Sequence, residues 1–218
     1  MLARSTRQRG DTLVEVLFAI SVFSLVVVGA LSLMNQGSAA ANRALDITLV
    51  RQQIDAQAEV LRYMHDEYVA VYHANLSFNV NDTQTSPAEE WYKMLDHIKT
   101  LNVQQASSLS VGSVCPYPPD GNLPTGSFII NPRTTGFVSD SSFFYPASSY
   151  PQVKARDDLT LDRAEGMWIE AIRSADSADP AQANIGFIDF HIRACWDSPG
   201  LPVPMTLGTI VRLYEPRG

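Results

Sequence analysis

The longest uncharged stretch of the chain lies near the N-terminus and is strongly apolar. It begins at Val16 and ends at Met34, and the next charged residue is Arg43. These 19 residues would span about 28 Å as a helix, close to the hydrocarbon thickness of a bilayer. The pattern therefore predicts one membrane-spanning helix.

The helical pattern continues through residues 35–75 but becomes amphipathic. Apolar residues recur every three or four positions, with charged residues on the opposite side. We expect one helix of about 95 Å from Asp11 to about residue 73. Its apolar stripe, either a packing surface for the head or a coiled-coil seam, consists of Ile47, Val50, Ile54, Ala58, Leu61, Met64, Tyr68 and Tyr72.

The remainder of the chain, residues 76–218, combines a short helix with several strands. Ser86 and Glu89 frame a capping pattern with a proline at the first helical position, which predicts a helix over 87–100. The segment 106–126 is rich in Ser, Pro and Gly and predicts a loop. Apolar or alternating runs predict strands at 127–130, 166–173, 185–196 and 205–214.

The third of these strands alternates most clearly, so we expect one buried and one wet face. The turns beside it, 174–184 and 197–204, contain Pro and small polar residues that suit antiparallel connections. Its apolar face would carry Ile188, Phe190, Ile192, Ala194 and Trp196, and its polar face Asp189, His191, Arg193 and Cys195.

Charge orients the predicted span. Arg4, Arg7 and Arg9 precede it, and Arg43 is the first charge after it. Positive flanks stay in the cytoplasm, so the N-terminus is expected inside and the rest of the chain outside. The formal net charge is −7, and direct nucleic acid binding is not expected because it needs a basic surface.

The chain lacks the common catalytic motifs. It has no GxSxG, HExxH, CxxC or glycine-rich phosphate loop, so neither an enzyme nor a cofactor is expected. His191 and Cys195 are too few for a zinc site. Asp157, Asp158 and Asp162 form an acidic cluster without an EF-hand pattern, so no metal site is predicted.

The junction before the apolar run is more specific. Its sequence over 10–15, Gly-Asp-Thr-Leu-Val-Glu, resembles the processing motif of prepilins, the precursors of type IV pilins and pseudopilins. In that family a basic leader ends in Gly, and a Glu occupies the fifth mature position. Gly10 would then end a leader over 1–10, and Asp11 would begin the mature chain. Signal-peptidase cleavage after Ala41 is the alternative.

The resemblance implies that Glu15 directs assembly. An acid at mid-membrane costs on the order of 2.5 to 3.5 kcal/mol, so it favours a partner. In pilins the corresponding Glu is thought to pair with the N-terminal amine of a neighbouring subunit; the alternative is an acid that reaches the interface and binds nothing. Two positions depart from the family pattern: Asp11 stands where pilins usually carry an N-methylated Phe, and Ser32 where many carry Pro.

The chain has two cysteines, Cys115 and Cys195, both in the part expected outside. An oxidising compartment would favour one disulfide between them. Two unpaired thiols are the alternative. A bridge across about 80 residues would stabilise the fold by roughly 4 kcal/mol at most in the chain-entropy model.

The resemblance implies an α+β fold, with the long N-terminal helix packed against an antiparallel β-sheet head. Residues 11–34 would span the membrane and later form the filament core. The protein would be a structural subunit of a type IV pilus-like filament, and the irregular head favours a minor pilin. Prepilin peptidase would cleave it, and the inner membrane would store it. An assembly platform and its ATPase would deliver it to the cell surface.

The expected partners are therefore other pilin subunits and, before assembly, membrane lipid. Two alternatives remain. One is a pseudopilin of a secretion or DNA-uptake system, and the other is a single-pass membrane-anchored extracytoplasmic protein whose head binds a ligand.

Overall fold

The fold is α+β, with a long apolar N-terminal helix and a β-rich head, as the sequence predicts. Contacts divide the chain into two compact units, Met1–Leu45 and Asp46–Gly218. The structure, a computed structural model, describes residues 11–74, 76–77, 86–101, 103, 105–107, 114–116, 123–174 and 186–216.

The described residues form two α-helices, eight β-strands and a 3-10 helix at Ser141–Phe143. The helices are α1, Asp11–His73, and α2, Pro87–Leu101. The strands are β1 (Ile129–Ile130), β2 (Phe137–Val138), β3 (Phe144–Tyr145), β4 (Gln152–Ala155), β5 (Leu161–Glu165), β6 (Met167–Arg173), β7 (Phe187–Trp196) and β8 (Met205–Tyr214).

Helix α1 runs without a break because little in its 63 residues opposes it. It contains no proline, and a glycine costs only about 1 kcal/mol relative to alanine in a helix. Gly29 and Gly37 therefore do not interrupt it. The predicted end near residue 73 is confirmed at His73.

The predicted apolar stripe of α1 packs into the head core. Ile47 and Tyr68 are half-buried at its ends, and Tyr72 is exposed. Its central members share one cluster with residues of α2 and of the strands, which confirms a packing surface for the head. The fully packed members are Val50, Ile54, Ala58, Leu61 and Met64.

Helix α2 begins with the predicted capping box. The Ser86 backbone N–H donates to Glu89 Oε2 at 2.8 Å, and the Glu89 N–H donates to Ser86 Oγ at 3.3 Å. These two bonds satisfy donors that a helix start leaves open. The helix then buries Trp91, whose ring centroid lies 5.5 Å from that of Phe190.

The main sheet has the strand order β6-β7-β8 and is antiparallel throughout. This confirms three of the predicted strands and their antiparallel connections. The first predicted strand is shorter than expected, since only Ile129–Ile130 is a strand and Phe128 forms an isolated bridge to Ile169. Ile185 lies outside the described residues.

The head contains more strands than the sequence predicts. The four strands β2 to β5 were not predicted, and they complete two further sheets, β1-β2 and β3-β5-β4. In the second, β3 pairs parallel to β5 while β4 pairs antiparallel to it. These strands have only two to five residues, which is too short for a clear period-two pattern.

The expectation of one wet face on β7 holds only for its first half. Asp189 and His191 are half-buried, whereas Arg193 and Cys195 are buried. The cause is the loop segment that crosses this face, because Ser107 accepts a hydrogen bond from Arg193 and Cys115 is bonded to Cys195. The alternation of residues within β7 cannot predict that a distant loop segment buries part of its polar face.

A buried amide joins α1 to the first strand. Gln57 is 1% exposed, and its Nε2 donates to the Ile130 carbonyl oxygen at 2.8 Å. The Ile130 N–H donates back to Gln57 Oε1 at 3.2 Å. One helix side chain thus satisfies the two strand groups that a neighbouring strand would otherwise pair.

Replacing Gln57 with leucine should destabilise the head by about 2 to 4 kcal/mol, because both Ile130 groups would stay buried without a partner. Urea unfolding of the full chain in detergent, followed by tryptophan fluorescence, measures this loss. Gln52→Leu is the matched control, since Gln52 is exposed on the same helix, and it should change stability by no more than about 0.5 kcal/mol. Equal unfolding midpoints for the two variants would contradict this role of Gln57.

Candidate functional site

None of the residues that the structure describes covers the N-terminal part of α1. Every side chain described from Leu13 to Ser38 is exposed, and this stretch is long and apolar enough to cross a membrane by length and composition. Fifteen large apolar side chains are exposed between Leu13 and Met34. At about 1.5 kcal/mol or more each, leaving them in water forfeits on the order of 20 kcal/mol, more than a domain's typical stability.

Two serines within the span donate hydrogen bonds to their own helix. Ser21 Oγ donates to the Leu17 carbonyl oxygen at 2.7 Å, and Ser24 Oγ donates to that of Ile20 at 2.8 Å. Hydroxyls bonded to their own helix leave no open donor to lipid or to a neighbouring helix. Around these two serines the surface is therefore compatible with a hydrocarbon environment.

Glu15 is the exception on this surface. It is exposed, and it has no ion pair or hydrogen bond with any residue that the structure describes. It follows the first helical residue, Asp11, by four positions, so the two lie on the same helix face about 6 Å apart along the axis. Gly10 and the side chain of Asp11 lie outside the described residues.

Comparison with known families identifies the segment. Residues 5–31 match the prokaryotic N-terminal methylation motif. It is the prepilin-type cleavage motif of type IV pilins and pseudopilins, and here it contains Gly10, Asp11 and Glu15. The match covers 27 of the 218 residues. No curated protein and no solved structure matches the chain.

The motif supports a precursor of the type IV pilin or pseudopilin kind. It implies processing by prepilin peptidase and assembly with other pilin subunits. The single long apolar helix fits a membrane-anchored precursor. The motif is one of structural subunits.

The two cysteines form a disulfide in the head. Cys115 and Cys195 have an Sγ–Sγ distance of 2.02 Å and are 80 positions apart in sequence. Cys195 lies near the end of β7, and Cys115 lies in the segment predicted as a loop. The bridge therefore fastens that loop segment to the main sheet.

A buried carboxylate fastens the same loop a second time. Glu170 on β6 is 2% exposed and accepts bonds from the Ser107 N–H and Oγ, both at 2.7 Å, and from Trp168 Nε1 at 2.8 Å. Arg193 Nε lies 3.3 Å from Glu170 Oε1. Sequence reasoning missed this residue, although an acid within the apolar strand Met-Trp-Ile-Glu-Ala-Ile-Arg is a recognisable signal.

Glu165 at the end of β5 is a second buried carboxylate that the sequence did not reveal. Burial opposes its ionisation, but hydrogen bonds from Lys154 Nζ and Ser148 Oγ, both at 2.6 Å, outweigh burial and hold its pKa below the usual value. Arg163 adds a contact at 3.3 Å. The carboxylate is therefore a structural anchor between neighbouring strands and loops.

The residues considered for a metal have structural roles. Cys195 is committed to the disulfide, and burial followed by the Arg193 charge lowers the pKa of His191. Asp158 accepts two hydrogen bonds from Thr160, which lower its pKa. Asp162 lies within salt-bridge distance of two arginines. Among the residues described, no group of three or more His, Cys, Asp or Glu is placed to hold a metal ion.

Proposed function

We propose that this chain is a structural subunit, and specifically a minor pilin, of a type IV pilus-like filament. The observation that carries the proposal is that the methylation motif at residues 5–31 overlaps the uncharged stretch from Val16 to Met34, whose side chains are all exposed. Residues 1–10 are a leader that prepilin peptidase removes after Gly10. Residues 11–34 span the inner membrane, 35–75 continue the helix, and 76–218 form the exported head.

The apolar surface explains why the same helix serves two states. In the membrane, lipid covers the side chains from Leu13 to Met34. In the filament, the corresponding helices of neighbouring subunits cover them, so extraction by the assembly platform and its ATPase exchanges one apolar environment for another. The arginines before the span keep the leader in the cytoplasm and the head outside.

Glu15 supplies the specificity of this exchange. Cleavage after Gly10 frees an α-amine at Asp11, and that cation can pair with the Glu15 carboxylate of a neighbouring subunit. Inside an apolar bundle an unpaired charge is costly, so only the axial register that brings the two charges together is favoured. Glu15 lacks a partner among the described residues, which leaves it available for such a contact.

The disulfide and Glu170 fit a head that works outside the cell. They fasten the same loop to the sheet without a ligand or cofactor, as expected of a subunit that survives an oxidising environment. The runner-up functions are a pseudopilin of a secretion or DNA-uptake system and a single-pass anchored binding protein. The pseudopilin shares the processing step, whereas the anchored protein does not require it.

The first test is the mature N-terminus. Mass spectrometry of the protein from cells that contain the peptidase should find a chain that starts at Asp11. Gly10→Val should abolish this cleavage and leave the full-length chain, because the residue lies at the scissile bond.

Gly37→Val is the matched control for Gly10→Val. A Cβ added at Gly37 meets no atom within 4 Å, so this variant should be cleaved normally. A mature chain that starts at Met1 or after Ala41 would contradict the proposal, and so would unchanged cleavage of Gly10→Val.

The second test concerns Glu15. Glu15→Gln should be processed and inserted normally but should enter filaments at least tenfold less efficiently, which corresponds to about 1.4 kcal/mol. Quantitative immunoblotting of sheared filaments against the membrane fraction measures the ratio. Glu67→Gln is the matched control because Glu67 is an exposed acid on the same helix. If both variants enter filaments equally well, the proposed role of Glu15 in assembly is contradicted.

A further inference from the structure

Strand β8 forms one edge of the main sheet, and half of its backbone groups point away from β7. The Glu215 N–H donates to the Gly186 carbonyl oxygen at 3.0 Å, which fixes the phase of the β7–β8 ladder. Residues that bond the partner strand alternate in an antiparallel ladder. The N–H and C=O groups that point outward therefore belong to Thr206, Gly208, Ile210 and Arg212.

Only one end of this edge is occupied among the described residues. His65 Nε2 lies 2.8 Å from the carbonyl oxygen of Tyr214, the next outward-pointing residue. The stretch from Thr206 to Arg212 lies beyond this contact, and Ile210 within it is 59% exposed. A run of alternating donors and acceptors that faces solvent is a template for another strand.

Several other strand edges of the head carry a backbone or side-chain contact. Gln57 occupies the free side of β1 at Ile130, and Glu90 Oε2 accepts the Phe137 N–H of β2 at 2.9 Å. The outer side of β6 is bridged at Ile169 by Phe128, through N–H···O bonds of 3.0 and 2.8 Å.

Strand β4 is closed in a different way. Its ladder with β5 shifts register between Lys154 and Ala155, and the Val153 N–H donates to Gln53 Oε1 at 3.3 Å. Bulges, charged residues and side-chain caps are the usual protection of an edge strand. The head thus uses such contacts or a bulge on β1, β2 and β4, and at one point of β6.

Strand β8 lacks these devices from Thr206 to Arg212. The stretch has no proline and no acid, and its pairing with β7 is regular over ten residues. Its one charge is neutralised, because Arg212 contacts both carboxylate oxygens of Asp189 at 2.7 Å and lies 3.9 Å above the Phe187 ring. This part of the edge is therefore regular, its one charge is paired, and none of the described residues covers it.

The surface beside this edge has room for an incoming side chain. Gly208 has no side chain, and Ile210 stands two positions along the same face. Between them lies a cleft of about 220 Å³ lined by His191, Ile192, Arg193, Gly208, Thr209 and Ile210. A small or β-branched side chain on an added strand would fit this cleft and contact Ile210.

We propose that β8 binds an extended segment of a different polypeptide, which adds a fourth strand to the main sheet along Thr206 to Arg212. The partner segment alternates apolar or β-branched residues on the side that faces Gly208 and Ile210. Main-chain hydrogen bonds provide its affinity, and the cleft provides its selectivity.

The choice of a different polypeptide rests on the proposed function. Two copies paired antiparallel through β8 are related by a two-fold axis perpendicular to the sheet. Because α1 packs along that sheet through residues 50–64, the axis would reverse the direction of this part of α1. Subunits of one membrane and one polar filament all point the same way, so a second β8 does not fit.

The test uses the full chain in detergent micelles and a fluorescent peptide as long as β8 that alternates threonine and valine. Fluorescence anisotropy should show saturable binding. The same peptide with N-methyl groups on alternate residues should bind at least tenfold more weakly when the methylated edge faces β8. Two methylated peptides are needed, one with N-methyl groups on the odd residues and one with them on the even residues, because either edge of the peptide can face β8.

The matched variants change only the outward edge. Ile210→Pro removes an outward N–H that does not bond β7, and an edge strand tolerates such a proline. It should weaken peptide binding at least tenfold, whereas Ile210→Thr keeps the N–H and should stay within twofold of the native chain. If Ile210→Pro changes the tryptophan fluorescence of the fold, Thr206→Pro replaces it at the other end of the edge.

Equal binding by the native and proline chains, or no saturable binding at millimolar peptide, would overturn strand addition. A dimer of the full chain that Ile210→Pro dissociates would overturn the choice of partner. If the chain binds the peptide but is never cleaved after Gly10, strand addition is supported and the filament role is contradicted. If the chain is cleaved normally but does not bind the peptide, the filament role is supported and strand addition is contradicted.

Discussion

The organisation of the protein depends on an apolar helix surface that none of the described residues covers. From Leu13 to Ser38 each described side chain is exposed, and Ser21 and Ser24 on this surface are bonded to their own helix. The hydrophobic cost of leaving it in water exceeds the stability of an ordinary domain. Lipid or other subunits are suited to cover it, and we propose that the one carboxylate on it, Glu15, makes the choice of neighbour specific.

In the head, buried polar side chains hold distant segments of the chain together. Gln57, Glu90 and Glu170 are buried, and each satisfies backbone or side-chain groups of a segment distant in sequence. A buried polar group without a partner costs more than a satisfied one gains, so these contacts select one arrangement of short strands and loops. The edge of β8 from Thr206 to Arg212 has no such contact among the described residues, and it is the site of the proposed strand addition.

Sequence reasoning succeeded where a pattern is long. The uncharged run, the stripe on α1, the capping box at Ser86 and the ten-residue strands β7 and β8 all extend over enough residues to show their period. It failed for the two-residue strands and for the buried half of β7, because their environment is set by distant segments. The processing motif at Gly10 was found from a few residues because its chemistry is local.

The environment of Leu25 shows whether lipid and then other subunits cover the apolar surface, because this side chain is 75% exposed in the middle of it. A nitroxide attached through Leu25→Cys reports collisions with oxygen, which dissolves in lipid, and with a water-soluble nickel complex. If lipid and then neighbouring subunits cover this surface, oxygen collisions are frequent in the membrane and decrease markedly in filaments, and nickel collisions are few in both. Frequent nickel collisions in either state, or no change on assembly, would contradict such a cover.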